Sequence, residues 1–137
     1  MKFNGLMPEL YVSDYQKSLA FYVDIVGFKL EYERVDPLFA FLSYGEAQLM
    51  IQQQEKTDQD TGPLEHPYGR GVNFQIRTPD INTLVEKLSA NNYPTKRGVK
   101  ESKRKAGEVF VIEREIHVLD PDGYFLRFSQ EIKQIKI

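Results

Sequence analysis

Apolar and polar positions alternate at Glu115–Val118 and again at Leu126–Ser129. A period of two places alternate residues on opposite faces of a strand. Between these runs stands Asp120-Pro121-Asp122-Gly123. Pro121 presets φ for the second position of a type I turn, Asp120 suits the first, and Gly123 supplies the left-handed residue that follows. Such a turn, closed by a glycine bulge, predicts the pairs Asp120 with Tyr124, Leu119 with Phe125, Val118 with Leu126 and His117 with Arg127. One face of this hairpin then carries Ile116, Val118, Leu126 and Phe128, and the other Glu115, His117, Arg127 and Ser129. An apolar face backed by an ionisable one predicts the wall of a concave structure.

The same patterning divides the rest of the chain. Met7–Val12 reads as a strand. Ser13 with Gln16 three residues on forms a capping box, predicting a helix to about Asp24 whose apolar positions are Tyr15, Leu19, Tyr22, Val23 and Val26, ended by Gly27. Three strands follow, Phe28–Arg34, Leu38–Ser43 and Ala47–Gln52, separated by Asp36-Pro37 and Tyr44-Gly45-Glu46. The second half repeats this order. Gly71–Arg77 is a strand, Asp80 caps a helix with Ile81, Leu84, Val85 and Leu88 on one face, and strands follow at Thr95–Lys103, Glu108–Leu119 and Tyr124–Gln130. The chain is read as one domain over residues 1–137, with βαβββ modules at 6–52 and 71–131. The connector, residues 53–70, shows no periodicity, and its length predicts either disorder or a mobile flap over a site.

Composition narrows the chemistry. Of the 137 residues, 41% are hydrophobic, with nine Phe and eight Tyr, enough for a real core. There is no Cys, which removes disulfides, thiolate metal sites and cysteine nucleophiles. A net charge of −2 gives no reason to expect nucleic acid. Lys96–Lys105 is locally basic and reads as a charged edge strand. No apolar run approaches signal-peptide or membrane-span length, so a cytoplasmic protein without a membrane partner is expected.

The chain resembles the vicinal oxygen chelate superfamily, the fold of glyoxalase I, extradiol dioxygenases and bleomycin-resistance proteins. The resemblance rests on Leu10-Tyr11-Val12-Ser13-Asp14, on Ser18-Leu19-Ala20-Phe21-Tyr22 with Val26-Gly27-Phe28, and on Asp120-Pro121-Asp122-Gly123-Tyr124-Phe125-Leu126-Arg127-Phe128. It covers about residues 6 to 130. It implies an α+β fold of two tandem βαβββ modules forming a cupped mixed β-sheet, helices outside and ligand within. In the superfamily's metalloenzymes, two positions in each module bind one divalent ion, which calls for His, Glu or Gln. Here those positions fall on Met7, Met50 (or Leu49 one residue earlier), Asn73 and Arg127. Thioethers suit hard ions poorly, Asn is a weak ligand, and a guanidinium cannot coordinate a metal. No metal or other cofactor is therefore expected.

Arg114-Glu115-Ile116 and Leu126-Arg127-Phe128 resemble the ending strands of the bleomycin-resistance branch, Arg-Glu-Phe and Leu-Leu-Arg-Phe. That branch implies a homodimer that sequesters a drug without metal or chemistry. The candidate ligand-binding residues are Glu9, Tyr11, Phe39, Gln48, Met50, Asn73, Gln75, Arg77, Glu115, His117 and Arg127, with no catalytic set. Arg127 is expected to pair with Glu115 diagonally across the strands. Phe39 and Phe41 alternate with Ala40 and Leu42, so one set packs on the helix and the other is available to a planar ligand. His66 reads as a solvated loop residue. The expected function is metal-free binding of a small, antibiotic-like molecule. The alternatives are a divalent-metal lyase, isomerase or dioxygenase using Glu9, Asn73 and His117, and a ligand-sensing partner subunit.

Overall fold

The computed structural model describes residues 1–56 and 61–137. Four positions of the expected connector, 57–60, thus lie outside the described residues. The chain forms two compact units. One contains Met1–Arg70 together with Asp120–Tyr124, and the other Gly71–Leu119 with Phe125–Ile137.

The first unit contains β1 (Glu9–Val12), α1 (Tyr15–Leu19), a π-helical continuation (Ala20–Val26), β2 (Lys29–Val35), β3 (Leu38–Tyr44) and β4 (Ala47–Gln53). Its strands are ordered β1-β4-β3-β2, with β1 and β4 parallel and the other pairs antiparallel. The second contains β5 (Asn73–Arg77), α2 (Ile81–Ala90), β6 (Arg97–Ala106), β7 (Val109–Leu119) and β8 (Phe125–Lys136), ordered β5-β8-β7-β6 with β5 and β8 parallel. Both are four-stranded mixed sheets built as βαβββ, an α+β arrangement.

The first helix starts differently from the capping-box expectation. Asp14 is its N-cap and accepts the Lys17 N–H at 3.2 Å. Ser13 instead donates its N–H, at 3.0 Å, and its hydroxyl to the buried Asp122 carboxylate. A tertiary acceptor has outcompeted the local one. The helix also widens to π geometry from Ala20, beyond what a 3.6-residue period indicates. Gly27, at φ +103°, ends it, and the Gly27 and Phe28 N–H groups both donate to the Tyr22 carbonyl. In the second unit Asp80 caps α2 as expected, and Ile81, Leu84 and Leu88 are buried.

The strands hold within a few residues of their expected ends, except that β8 continues to Lys136. The His117–Arg127, Val118–Leu126 and Leu119–Phe125 register is present, and Asp120 and Gly123 close the turn. Ile116, Val118, Leu126 and Phe128 are buried, and Arg114, on their face of β7, donates to Asn82 of α2 at 3.2 Å. The ionisable face is therefore the one turned away from the unit's own helix. The first sheet is resolved in the same way. Tyr44 packs on Phe28 and Phe28 on Tyr22 of the helix, with centroids 5.0 and 5.3 Å apart, so Ala40, Leu42 and Tyr44 face the helix and Phe39 and Phe41 face away. The basic strand β6 is the edge of its sheet, exposed over most of its length.

Candidate functional site

The faces turned away from the helices carry the expected site residues, five in the first unit and six in the second. In the first sheet, Glu9 pairs with Met50, Tyr11 with Gln52, Phe39 with Gln52 and Phe41 with Met50, so these side chains share one face. Gln48 lies on it too, two residues from Met50. Tyr32 stacks on Phe41 with centroids 5.3 Å apart and planes at 5°, while the Arg34 guanidinium lies 4.0 Å over the Phe39 ring. Glu9 is exposed. Gln48 is engaged by the chain itself, accepting the Asn4 N–H at 2.6 Å and donating to the Lys2 carbonyl at 2.9 Å. Phe41 and Tyr32 belong to this face as firmly as Phe39. Strand alternation alone places Phe41 there, whereas the facing Tyr32 depends on a bulge between Leu30 and Tyr32.

The second sheet gathers its polar residues around Arg127. The guanidinium donates Nε to Asn73 at 2.8 Å, one terminal nitrogen to Glu115 at 3.1 Å and the other to Gln75 at 3.3 Å. Glu115 also meets His117 Nε2 at 2.8 Å, and the His117 ring packs against Phe125 at 5.0 Å. Burial pushes the Glu115 carboxyl up, but the His117 hydrogen bond and the Arg127 charge outweigh it and hold its pKa below the usual value. Arg77 adjoins this group through Ser129, whose Oγ accepts from Gln75 at 3.1 Å and from Arg77 at 3.4 Å. It also pairs with buried Glu113 at 2.9 Å, which meets Arg104 at 2.8 Å. Glu113 anchors two cations and was not singled out in the sequence, where it reads as one more charged position. His66 is exposed, as a loop residue should be.

The donor set at the positions that the resemblance implies for a metal does not fit a divalent ion. Met7 lies just before β1, the Met50 N–H donates to the Pro8 carbonyl at 2.8 Å beside it, and each residue has only a thioether to offer. The Asn73 amide oxygen already accepts from Arg127, and Arg127 is itself a permanent cation. Among the described residues no three His, Asp or Glu side chains cluster as a metal site.

Comparison with known proteins agrees with this architecture. The family model described as Glyoxalase/Bleomycin resistance protein/Dioxygenase superfamily matches residues 4–128. A superfamily member from Vibrio splendidus 12B01 is 30% identical, covering 90% of this chain and 95% of its own, with a TM-score of 0.43. The fosfomycin resistance protein FosX from Listeria monocytogenes is similar in fold, at 20% identity, TM-score 0.58, and coverage of 93% and 91%. Lactoylglutathione lyase from Agrobacterium tumefaciens is similar at 16% identity, TM-score 0.60, and coverage of 94% and 95%. No curated protein matches. The chain thus belongs to the glyoxalase/bleomycin resistance protein/dioxygenase superfamily.

Proposed function

We propose that this protein binds and sequesters a small organic molecule of the antibiotic or bleomycin-like type, without a metal and without covalent chemistry. The observation that carries this reading is Arg127. It stands at a position where the superfamily's metalloenzymes place a ligand, and three of its five N–H donors are held by Asn73, Gln75 and Glu115. The helix-distal faces supply rings, amides, a thioether and an ion-paired cluster, which suit recognition of a drug-sized molecule. The ligand contacts assigned are Glu9, Tyr11, Phe39, Gln48 and Met50 of the first unit and Asn73, Gln75, Arg77, Glu115, His117 and Arg127 of the second. A cytoplasmic homodimer completes the proposal. Among the described residues, no helix is long and apolar enough to cross a membrane.

The similarity in fold to a lactoylglutathione lyase keeps a divalent-metal lyase or isomerase as the competing reading. Calorimetric titration with bleomycin and a panel of planar compounds, beside metal analysis of protein purified without added metal, separates the two. Ligand binding by metal-free protein is the expected result. Stoichiometric bound metal would overturn the proposal, and silence toward bleomycin alone would remove only the drug label.

A further inference from the structure

One residue of the first unit is held much as a bound ligand would be. The Gln48 carboxamide donates Nε2–H to the Lys2 carbonyl at 2.9 Å and accepts the Asn4 N–H through Oε1 at 2.6 Å. Those two backbone groups flank a single residue, Phe3. Its ring meets Phe41 edge-on, with centroids 5.4 Å apart and planes at 87°, and Phe41 is backed by the parallel Tyr32 ring. The Asn4 side chain adds a hydrogen bond to the Glu46 carbonyl at 2.6 Å. A carboxamide satisfied at both ends by the C=O and N–H around one residue reads an extended backbone, and the ring contact reads its side chain.

We infer that Gln48 and Phe41, supported by Tyr32, form a subsite for an aromatic amide, which Phe3 occupies until a ligand displaces it. The ligand class is a ring carrying a carbonyl acceptor on one side and an N–H donor on the other. The inference rests on the small-molecule-binding reading above and names the chemistry of one part of that site. Exposure separates the two rings. Phe3 is 53% exposed and reached by solvent, whereas Phe41 is 1% exposed. Removing the Phe3 ring uncovers apolar surface on Phe41 that a ligand ring covers again, so the exchange needs little net change in buried area. Beside these residues lies an open cavity of about 410 Å³, walled on one side by Lys2 and Asn4 of the displaceable segment and on the other by Glu31, Ser43 and Gln48. The sheet side chains stay to meet further groups of the same ligand once that segment leaves. A resident Phe3 lowers apparent affinity in proportion to its occupancy of the place, so a ring filling it nine-tenths of the time weakens binding roughly tenfold.

The test uses N-acetyl-L-phenylalaninamide, whose acetyl carbonyl and terminal amide stand where Lys2 C=O and Asn4 N–H now are, with N-acetyl-L-alaninamide as control. ¹H–¹⁵N spectra are titrated for the wild-type chain, Phe3→Ala and Phe3→Ala/Gln48→Ala, after the undisturbed spectra establish that each is folded. Phe3→Ala, which removes the ring that holds Lys2 C=O and Asn4 N–H against Gln48, is expected to bind the phenylalanine probe roughly tenfold more tightly than wild type, with shifts at Gln48 and Phe41. The double variant loses that binding, and the alanine probe binds none of them. Equal affinity of wild type and Phe3→Ala, or binding that survives loss of Gln48, would overturn the inference. If Phe3→Ala ignores the probe while the planar panel still binds, the subsite alone fails. If the panel fails as well, the small-molecule reading fails with it.

Discussion

Arg127 and Glu115 form an ion pair of 3.1 Å diagonally across β7 and β8, and His117 meets the same Glu115 oxygen at 2.8 Å. Glu115 is nearly enclosed, with 10% of its side chain exposed against 26% for Arg127. Breaking such a pair from the cation side leaves a carboxylate with little water to replace it. Arg127→Glu adds a second carboxylate beside the first. Its expected cost is about 2 kcal/mol, below the range for fully buried pairs because Arg127 is partly hydrated. Urea unfolding at pH 7 measures it, and an unchanged midpoint would argue against the pair. The pH sign follows from the lowered Glu115 pKa. The pair's contribution is present above the ordinary glutamate range and is lost as pH falls through the lower folded value.

Asp120 titrates in the opposite sense. Burial is the largest influence and pushes its carboxyl from 3.8 to about 6, although the Tyr22 hydroxyl and the Tyr124 and Asp122 N–H groups donate to it. The folded protein then holds this proton more tightly than the unfolded chain. Stability from this group is present below about pH 4 and is lost as pH rises toward 6, by on the order of 3 kcal/mol at most. Asp120→Asn keeps an acceptor for both backbone donors and removes the charge. Urea midpoints between pH 4 and 7 should show a shallower loss in this variant than in wild type, and identical slopes would contradict the assignment.

Ser18 offers a gain. It is fully buried on α1, and its hydroxyl is the one buried side-chain polar atom without a hydrogen-bond partner among the described residues. An unmet buried hydroxyl costs about 1–3 kcal/mol, and Ala also has the higher helix propensity. Ser18→Ala is expected to raise Tm by several degrees in a thermal melt. A lower Tm would mean that the hydroxyl is satisfied in solution.

Gly123 and Gly107 separate two costs of the same substitution. Both have positive φ, +91° and +63°. An added Cβ at Gly107 meets nothing within 4 Å, whereas at Gly123 it would lie 2.6 Å from Pro67 Cβ and 2.7 Å from Pro67 Cα. Gly107→Ala should cost only the conformational term, about 1 kcal/mol. Gly123→Ala adds a backbone clash and is expected to cost about 3 kcal/mol or more. Chemical denaturation of the pair checks the ranking, and equal losses would remove the role given to Pro67.

The sequence alone determined the two βαβββ modules, the turn at Asp120–Gly123, the register of β7 with β8, and the faces of that hairpin. All of these follow from periodicity two, turn chemistry and local caps, which act between residues near in the chain. That Arg127 stands where the superfamily's metalloenzymes carry a ligand is implied by the resemblance, not by periodicity or turn chemistry. Tertiary structure decided what depends on distant partners. Ser13 is a convincing cap until the Asp122 carboxylate, 109 positions away, takes both its donors. Phe39 and Phe41 became the helix-distal set only through the Tyr44–Phe28–Tyr22 contacts. Gln48 read as a side chain waiting for a ligand, and folding brought Lys2 and Asn4 to it from 46 and 44 positions away. Such competitions between partners are settled by proximity in space, which local pattern does not encode.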